Sequence, residues 1–321
     1  MNIFWQEFPA ITESLKKVSA IIQDVCGSRN PIISEGVSTL FDGKGKLLRP
    51  GILLIAAHFG KKQEKHLKLA ACLEMLHMAT LIHDDVIDDS PLRRGAPAAH
   101  VRFGKRDAVL IGDYLLSRCF LLAAEYTSAS NAINLGKLLS RMCVMEIEQN
   151  ADRFSSGMSL RRYLKKIMGK SAILFSLACH VGGDEAKAPK HVTERLRRAG
   201  YNIGMAFQII DDMLDYSGDA GAVRKPLGND IKEGFVTLPL ICAVRRDASG
   251  YLRSFFSQPT FTADDPNAII ELVCENGGIE EARSFAETYT NRAMREIARL
   301  PNGAARDMLE KLTLKLLGRD R

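Results

Sequence analysis

Two aspartate runs of the same layout stand far apart in the chain: His83-Asp84-Asp85-Val86-Ile87-Asp88-Asp89, and Gln208-Ile209-Ile210-Asp211-Asp212-Met213-Leu214-Asp215. On a helix, residues four apart share a face, one turn apart. Asp84 therefore pairs with Asp88, and Asp211 with Asp215. Like charges at this spacing destabilise an isolated helix by about 0.2–0.5 kcal/mol per pair. The neighbours are apolar: Leu81, Ile82, Val86 and Ile87 in the first run; Phe207, Ile209, Ile210, Met213 and Leu214 in the second. Ionised carboxylates in such company need a cation. A divalent metal held between two facing helices is the simplest resolution. Magnesium suits oxygen ligands and is usually completed by substrate phosphates, so the pattern predicts a phosphate-bearing substrate. The plainer reading of either run alone is an acidic helix face in solvent.

Basic groups at ordered positions weigh against that plainer reading. Gly45-Lys46-Leu47-Leu48-Arg49-Pro50 places Lys46 and Arg49 three apart, beside a glycine that lets backbone approach a ligand. After the first aspartate run comes Ser90-Pro91-Leu92-Arg93-Arg94-Gly95. Pro91 disfavours helix at the residue before it, and two guanidiniums suited to bidentate phosphate binding follow. After the second run comes 224–234, a loop with Lys225 and Lys232. Any one basic pair is commonly a solvated surface. The repeated order, acidic helix then basic loop, is the specific signal.

The elements that must position these groups read as helices. Apolar residues recur every three to four positions over 52–59, 67–87, 108–126, 132–150, 160–181, 191–216 and 238–246. Breakers predict loops at 42–45, 91–104, 155–159, 182–189, 217–234 and 257–266. No strong strand alternation is present. An all-α fold is expected, a single-domain helical bundle over 1–321 around a central active-site cavity, since no linker or composition shift divides the chain. No stretch approaches the roughly 18 apolar residues of a membrane span, and the N-terminus lacks the basic start and apolar run of a signal peptide. The seven cysteines (Cys26, Cys72, Cys119, Cys143, Cys179, Cys242 and Cys274) show no CxxC spacing. Most read as reduced core thiols of a cytoplasmic protein. The formal charge of +6 suits anionic substrates. Without a basic stripe interleaved with aromatics, it does not argue for nucleic acid. Glu146 and Gln149 share a face that either reaches the metal through water or belongs to a helix end or dimer contact. His83, Tyr216 and Asp219 read as structural.

In combination, these motifs resemble the trans-isoprenyl diphosphate synthases, or polyprenyl synthetases, and most closely the bacterial long-chain enzymes. Asp84-Asp85-Val86-Ile87-Asp88 is similar to the family's first aspartate-rich (DDxxD) motif, followed by Arg93-Arg94-Gly95. Residues 207–215 are similar to the second motif, and Phe103-Gly104 with Leu110-Ile111-Gly112-Asp113 to the segment after the first. The resemblance implies a prenyltransferase that adds isopentenyl diphosphate repeatedly, head to tail, to an allylic diphosphate. Magnesium, about three ions per site, would be held by Asp84 and Asp88 with Asp85 in support, and by Asp211 with Asp212 and Asp215 as further ligands or support. Arg93, Lys170 and Lys225 would bind the allylic diphosphate, with Ser171 and Gln208 lining the reacting centre. Lys46, Arg49, His77 and Arg94 would bind isopentenyl diphosphate. A homodimer is implied, with the apolar helices around 108–150 as its interface. A long apolar product also implies transient contact with a membrane or carrier, although the basic end of the chain (Lys311, Lys315, Arg319 and Arg321) reads better as a solvated helix end.

Three positions depart from the family pattern. Leu47 stands where a basic residue is usual, Ser171 where threonine is frequent, and Phe235 where many members carry lysine. The last departure predicts a less basic allylic diphosphate site and leaves the Lys232 region without an assigned role. Two rivals fit less well. A terpene cyclase usually lacks the second diphosphate site that Lys46, Arg49 and Arg94 suggest. A non-catalytic subunit typically loses one aspartate run, and both are intact. A shorter-chain synthase stays in play as the alternative reading of the same motifs.

Product length is argued from the helix carrying the first motif. Thr80 and Ala79 lie four and five residues before Asp84, about one turn deeper. In short-chain members a large aromatic there acts as a floor, whereas alanine and threonine leave a growing chain room. The plainer role for Ala79 is a tight helix contact. A deeper floor falls to Met75, Met78, Phe120 or Leu121. A hexa- to octaprenyl product is expected. Ala79→Tyr should therefore shorten the product, and chromatography of products showing an unchanged length would remove the floor argument.

Overall fold

A computed structural model describes residues 3–41, 45–93, 95–151, 159–217, 227–257 and 266–318. In chain order the helices are α1 (Pro9–Val25), α2 (Pro31–Leu40), α3 (Leu48–Ala57), α4 (Lys65–Ile87), α5 (Ala99–Phe103), α6 (Lys105–Tyr126), α7 (Ala129–Ala151), α8 (Leu160–Ile167), α9 (Ile173–Glu185), α10 (Lys190–Ser217), α11 (Asn229–Lys232), α12 (Leu238–Arg246), α13 (Tyr251–Phe256), α14 (Pro266–Glu275), α15 (Gly278–Ile297) and α16 (Ala304–Leu317). Among the described residues the strands are β1 (Leu92–Arg93) and β2 (Ala96–Pro97), one antiparallel pair. The fold is all-α, as the apolar spacing predicts.

Four expectations need correction. The stretch 160–181 is not one α-helix, because a π-turn at Met168–Ala172 separates α8 from α9. The expected loop at 91–104 instead holds the β1–β2 hairpin and the short α5. The expected loop at 182–189 begins four residues late, since α9 continues to Glu185. The expected loop at 217–234 contains the single turn of α11.

The packing separates into two compact units. Unit 1 comprises Met1–Leu135, Ala178–Leu196 and Pro301–Leu309; unit 2 comprises Gly136–Leu177, Arg197–Leu300 and Glu310–Arg321.

In unit 1, α4 packs against α1, α3 and α6. Its residues Leu69 to Leu76, together with Met78, Ala79 and Ile82, are buried, as befits a helix that is apolar on all sides. Trp5, 1% exposed, lies against Gly51 of α3, where an added Cβ would come within 2.1 Å of the ring. The Trp5 indole N–H donates to the Lys46 carbonyl and so fixes the approach to α3. Near the end of α9, the buried Glu185 carboxylate accepts from Lys65 Nζ (2.7 Å), the Ser128 N–H (2.8 Å) and the Asn131 amide (2.7 Å). One side chain thus joins the starts of α4 and α7 to α9.

In unit 2, α12 is the shared partner of α13, α14 and α15. Its first two turns, Leu238 to Ala243, are wholly buried, with Pro239 in the opening turn, where a missing N–H costs nothing. Among the described residues, no helix is long and apolar enough to cross a membrane.

Burial alone would raise the Glu185 pKa, but the Lys65 ammonium and the Ser128 and Asn131 donors outweigh it and hold the group at about 2, below its ordinary 4.5. A carboxylate with a depressed folded-state pKa stabilises the fold above its unfolded pKa, and that contribution is lost as pH falls through the folded one. Glu185→Gln should lower the unfolding free energy by about 2–3 kcal/mol at neutral pH. The difference from the parent should close as pH falls from about 4.5 to about 2. Urea titrations of both proteins at pH 7 and pH 3 check this, and a pH-independent difference would refute it.

Candidate active site

In unit 1 the first aspartate run closes α4. Asp84 and Asp88 are half-buried and Asp85 is 3% exposed. The Asp88 N–H still donates to the Asp84 carbonyl at 2.8 Å, which keeps the two carboxylates one turn apart at the helix end. Asp89 then adopts a left-handed φ of 52° and Ser90 N–H returns to the Asp85 carbonyl at 3.0 Å. This is a helix-ending turn of the kind glycine or asparagine usually supplies, and Pro91 blocks any continuation.

The β1–β2 hairpin that follows turns Arg93 back onto α4. Its Nε donates to Asp85 Oδ1 (3.0 Å) and Oδ2 (2.9 Å), and Nη2 donates again to Oδ1. Asp85 is buried while Arg93 is 37% exposed, so the carboxylate aims a guanidinium that still reaches solvent. Asp85 thus acts through Arg93 in this geometry.

Arg49, in the first turn of α3, is 9% exposed, and its Nη1 donates to His77 Nε2 on α4 at 2.9 Å. Arginine can only donate, so His77 accepts at Nε2. Lys46 is exposed three residues before Arg49, and Leu47 between them has left-handed backbone (φ 46°) as the N-cap of α3. The structure therefore brings Arg49 and His77 together, as the resemblance implies, with Lys46 at the entrance to α3. Arg94 and Lys225 lie outside the described residues, as do Asp219, Arg319 and Arg321.

In unit 2 the second run lies in the last turns of α10. Asp211 is exposed, Asp212 buried and Asp215 half-buried. Asp212 Oδ2 accepts from the Tyr163 hydroxyl (2.7 Å) and Oδ1 from the Gln208 amide (2.8 Å), while Gln208 Oε1 accepts from the Ser171 hydroxyl. Burial, then the Asp230 carboxylate, push the Asp212 pKa up to about 7 against the lowering effect of these two donors. The Asp215 carboxylate accepts from the backbone N–H of Asn229 (3.2 Å) and Asp230 (3.0 Å), which fastens the start of α11 to α10. Lys170 and Ser171 sit in the π-turn, a distortion often found at functional sites. The turn is possible because two glycines admit it. A Cβ on Gly169 would come within 2.3 Å of Met145 Sδ, and one on Gly204 of α10 within 2.5 Å of Ala172 Cα.

Tyr163, Lys166 and Asp230 escape the sequence reading. Tyr163 carries a usable signal, since Tyr163, Ile167 and Ser171 recur at four-residue spacing and all are buried. Of the residues considered for product length, Ala79 is fully buried, and Thr80 turns its hydroxyl to the His77 carbonyl at 2.8 Å. Met75 and Met78 are buried, but Phe120 and Leu121 are 46% and 58% exposed and do not wall the interior of this chain. They are exposed because they lie with Val109 and Leu110, three turns earlier, on the outer face of α6. His83 Nε2 lies 3.3 Å from the Val109 carbonyl and 3.5 Å from Asp113, consistent with a packing role. Glu146 is half-buried, and its neighbour Glu148 pairs with Lys165 at 2.7 Å. The Gln149 side chain lies outside the described part of the chain.

The donor set fits a hard cation completed by its ligand. Every candidate is a carboxylate oxygen, and among the described residues no three acidic, His or Cys side chains converge to hold a metal by themselves. Magnesium, which keeps waters and shares substrate phosphates, suits such partial sites.

The polyprenyl synthetase family model matches residues 30–273. Heptaprenyl diphosphate synthase component 2 of Geobacillus stearothermophilus is 33% identical over 311 residues, covering 97% of each chain. The crystal structure of polyprenyl synthase from Caulobacter crescentus, complexed with calcium and isoprenyl diphosphate, superposes with a TM-score of 0.90 at 33% identity, covering 97% of this chain and 96% of that one. The geranylgeranyl pyrophosphate synthase of Lactobacillus brevis superposes with a TM-score of 0.91 at 34% identity over 99% of each chain.

Since a Cβ on Gly204 meets backbone rather than a flexible side-chain end, Gly204→Ala must shift the Met168–Ala172 turn. It should cost about 1–3 kcal/mol of stability, read as a lower thermal midpoint. An unchanged midpoint would show that the turn yields without cost.

Proposed function

The chain belongs to the polyprenyl synthetase family and is a prenyltransferase, and from that premise we propose that it builds an all-trans polyprenyl diphosphate by magnesium-dependent addition of isopentenyl diphosphate to an allylic diphosphate. The observation that carries this reading is the Arg93 guanidinium, aimed by the buried Asp85 of the same helix end that carries Asp84 and Asp88. Asp84, Asp88 and Asp211 would hold Mg²⁺ together with the substrate diphosphate. Asp215 adds to them while fastening α11, and Asp212 acts chiefly by orienting Gln208 and Tyr163. When bound, the metal neutralises the diphosphate and makes it a competent leaving group.

Arg93, Lys170 and Lys225 bind the allylic diphosphate and stabilise the charge it gains as the allylic C–O bond breaks with its electron pair. Lys46, Arg49, His77 and Arg94 hold the diphosphate of isopentenyl diphosphate, so that its double bond meets the allylic cation without the entropic cost of a free encounter. The new C–C bond forms, and the adjacent proton passes to the departed diphosphate. No protein base is needed. Ser171 and Gln208 line the reacting carbons.

The small side chains of Ala79, buried, and Thr80, half-buried, support a long product in the hexa- to octaprenyl range, in keeping with the heptaprenyl name of the Geobacillus relative. A geranylgeranyl synthase of equal similarity keeps a shorter product as the second reading. The word "component" in the Geobacillus name likewise favours weighing a heteromeric enzyme against a homodimer. The homodimer is supported by Val109, Leu110, Phe120 and Leu121, all exposed on α6. We place the enzyme in the cytoplasm, where its seven free cysteines stay reduced and its apolar product passes transiently to a membrane.

Purified protein given Mg²⁺, isopentenyl diphosphate and farnesyl diphosphate should yield a product ladder reaching hexaprenyl or beyond. Chelation of the metal should stop it, and Asp84→Asn or Asp211→Asn should lower kcat by about 100- to 1000-fold. A ladder ending at geranylgeranyl keeps the reaction and refutes the length. No condensation by the chain alone, whatever the allylic starter, refutes a self-sufficient synthase and favours the subunit of a heteromeric enzyme or a cyclase.

A further inference from the structure

Lys166 lies in α8, four residues before Lys170, and its Nζ sits 4.3 Å from the centroid of the Phe235 ring. The ring is 8% exposed and is held by its own backbone N–H, which donates to the Asp230 carbonyl at 2.7 Å. Lys166 is half-buried, yet among the described residues its ammonium forms no ion pair and no hydrogen bond. An ammonium carries three donors, and an aromatic face can cover one side of it without satisfying any of them. Burial and the neighbouring Lys170 charge both lower its pKa, while Asp212, Asp230 and Glu146 act in the opposite sense without bonding to it. Two ammonium groups so placed repel each other, and a multiply charged anion accepting from both would remove the repulsion and satisfy the open donors of Lys166.

From sequence, Phe235 counts as a lost cation. The structure instead makes its ring the seat of another one. We propose that Lys166, held on the Phe235 ring, is a further binding residue for the allylic diphosphate, acting together with Lys170. This rests on the prenyl-transfer reading and adds to it a residue that none of the motifs contains. It also implies that the aromatic ring sets the height at which the ammonium is presented.

Steady-state kinetics with each substrate varied in turn provide the test. Lys166→Met should raise KM for the allylic diphosphate about tenfold while changing KM for isopentenyl diphosphate less than about twofold. Lys166→Arg should recover most of the loss, and Phe235→Leu, which keeps the charge but removes its seat, should fall between. Calorimetric titration of parent and Lys166→Met with inorganic diphosphate and Mg²⁺ should show the same weakening without any turnover, so the inference stands or falls apart from the reaction. If the parent condenses substrates and Lys166→Met keeps the allylic KM, with or without a lower thermal midpoint, Lys166 is a packing residue and the proposal is wrong. An equal rise in both KM values would also overturn it. Should Lys166→Met fail to fold, Phe235→Leu and Lys166→Gln give the same comparison.

Discussion

A carboxylate cannot stay ionised inside a protein unless something donates to it, and both aspartate clusters are built around that constraint. In each, the middle aspartate is the buried one: Asp85 is 3% exposed and Asp212 8%. Asp85 takes the fork of Arg93, and Asp212 takes the Tyr163 hydroxyl and the Gln208 amide. Through these bonds the middle residues set the directions of groups that do face outward. Arg93 is aimed by Asp85. Gln208 is held between Asp212 and Ser171. The flanking aspartates are less buried.

The two solutions differ in strength. Arg93 brings a full positive charge to Asp85. Asp212 has only neutral donors, and with Asp230 nearby its pKa stands at about 7. Tyr163 suits that position because a phenol can donate to an ionised carboxylate or accept from a protonated one. The hydroxyl is itself fully buried, and burial and Asp212 raise its pKa well above the ordinary value. It therefore remains a phenol and holds Asp212 in place in either state.

Helical periodicity makes α4, α10 and α12 legible, the last with its observed ends, because each carries apolar residues at regular helical spacing. The π-turn is not legible, since one inserted residue in a turn leaves the apolar spacing of 160–181 looking continuous. Only the close approaches at Gly169 and Gly204 reveal it, and those join the turn to Met145 of α7 and to α10, both distant in the chain. Carboxylate and basic residue types announce the chemistry, and the four-residue spacing of Asp84 and Asp88 survives into the structure. Their partners do not announce themselves. Tyr163 and Asp212 are 49 residues apart, and nothing in either segment names the other. Phe120 and Leu121 mislead for a related reason: an apolar residue on a helix can face a core or the outside, and the period alone does not say which.

Trp5 is the only tryptophan of the chain, and it is joined through its indole N–H to the carbonyl of Lys46, with its ring lodged under Gly51. The protein thus carries a built-in optical probe whose emission arises from a single, water-shielded indole beside the Lys46–Arg49 segment. Events at that segment can be followed by intrinsic fluorescence, in real time and without a label, against no background from a second indole.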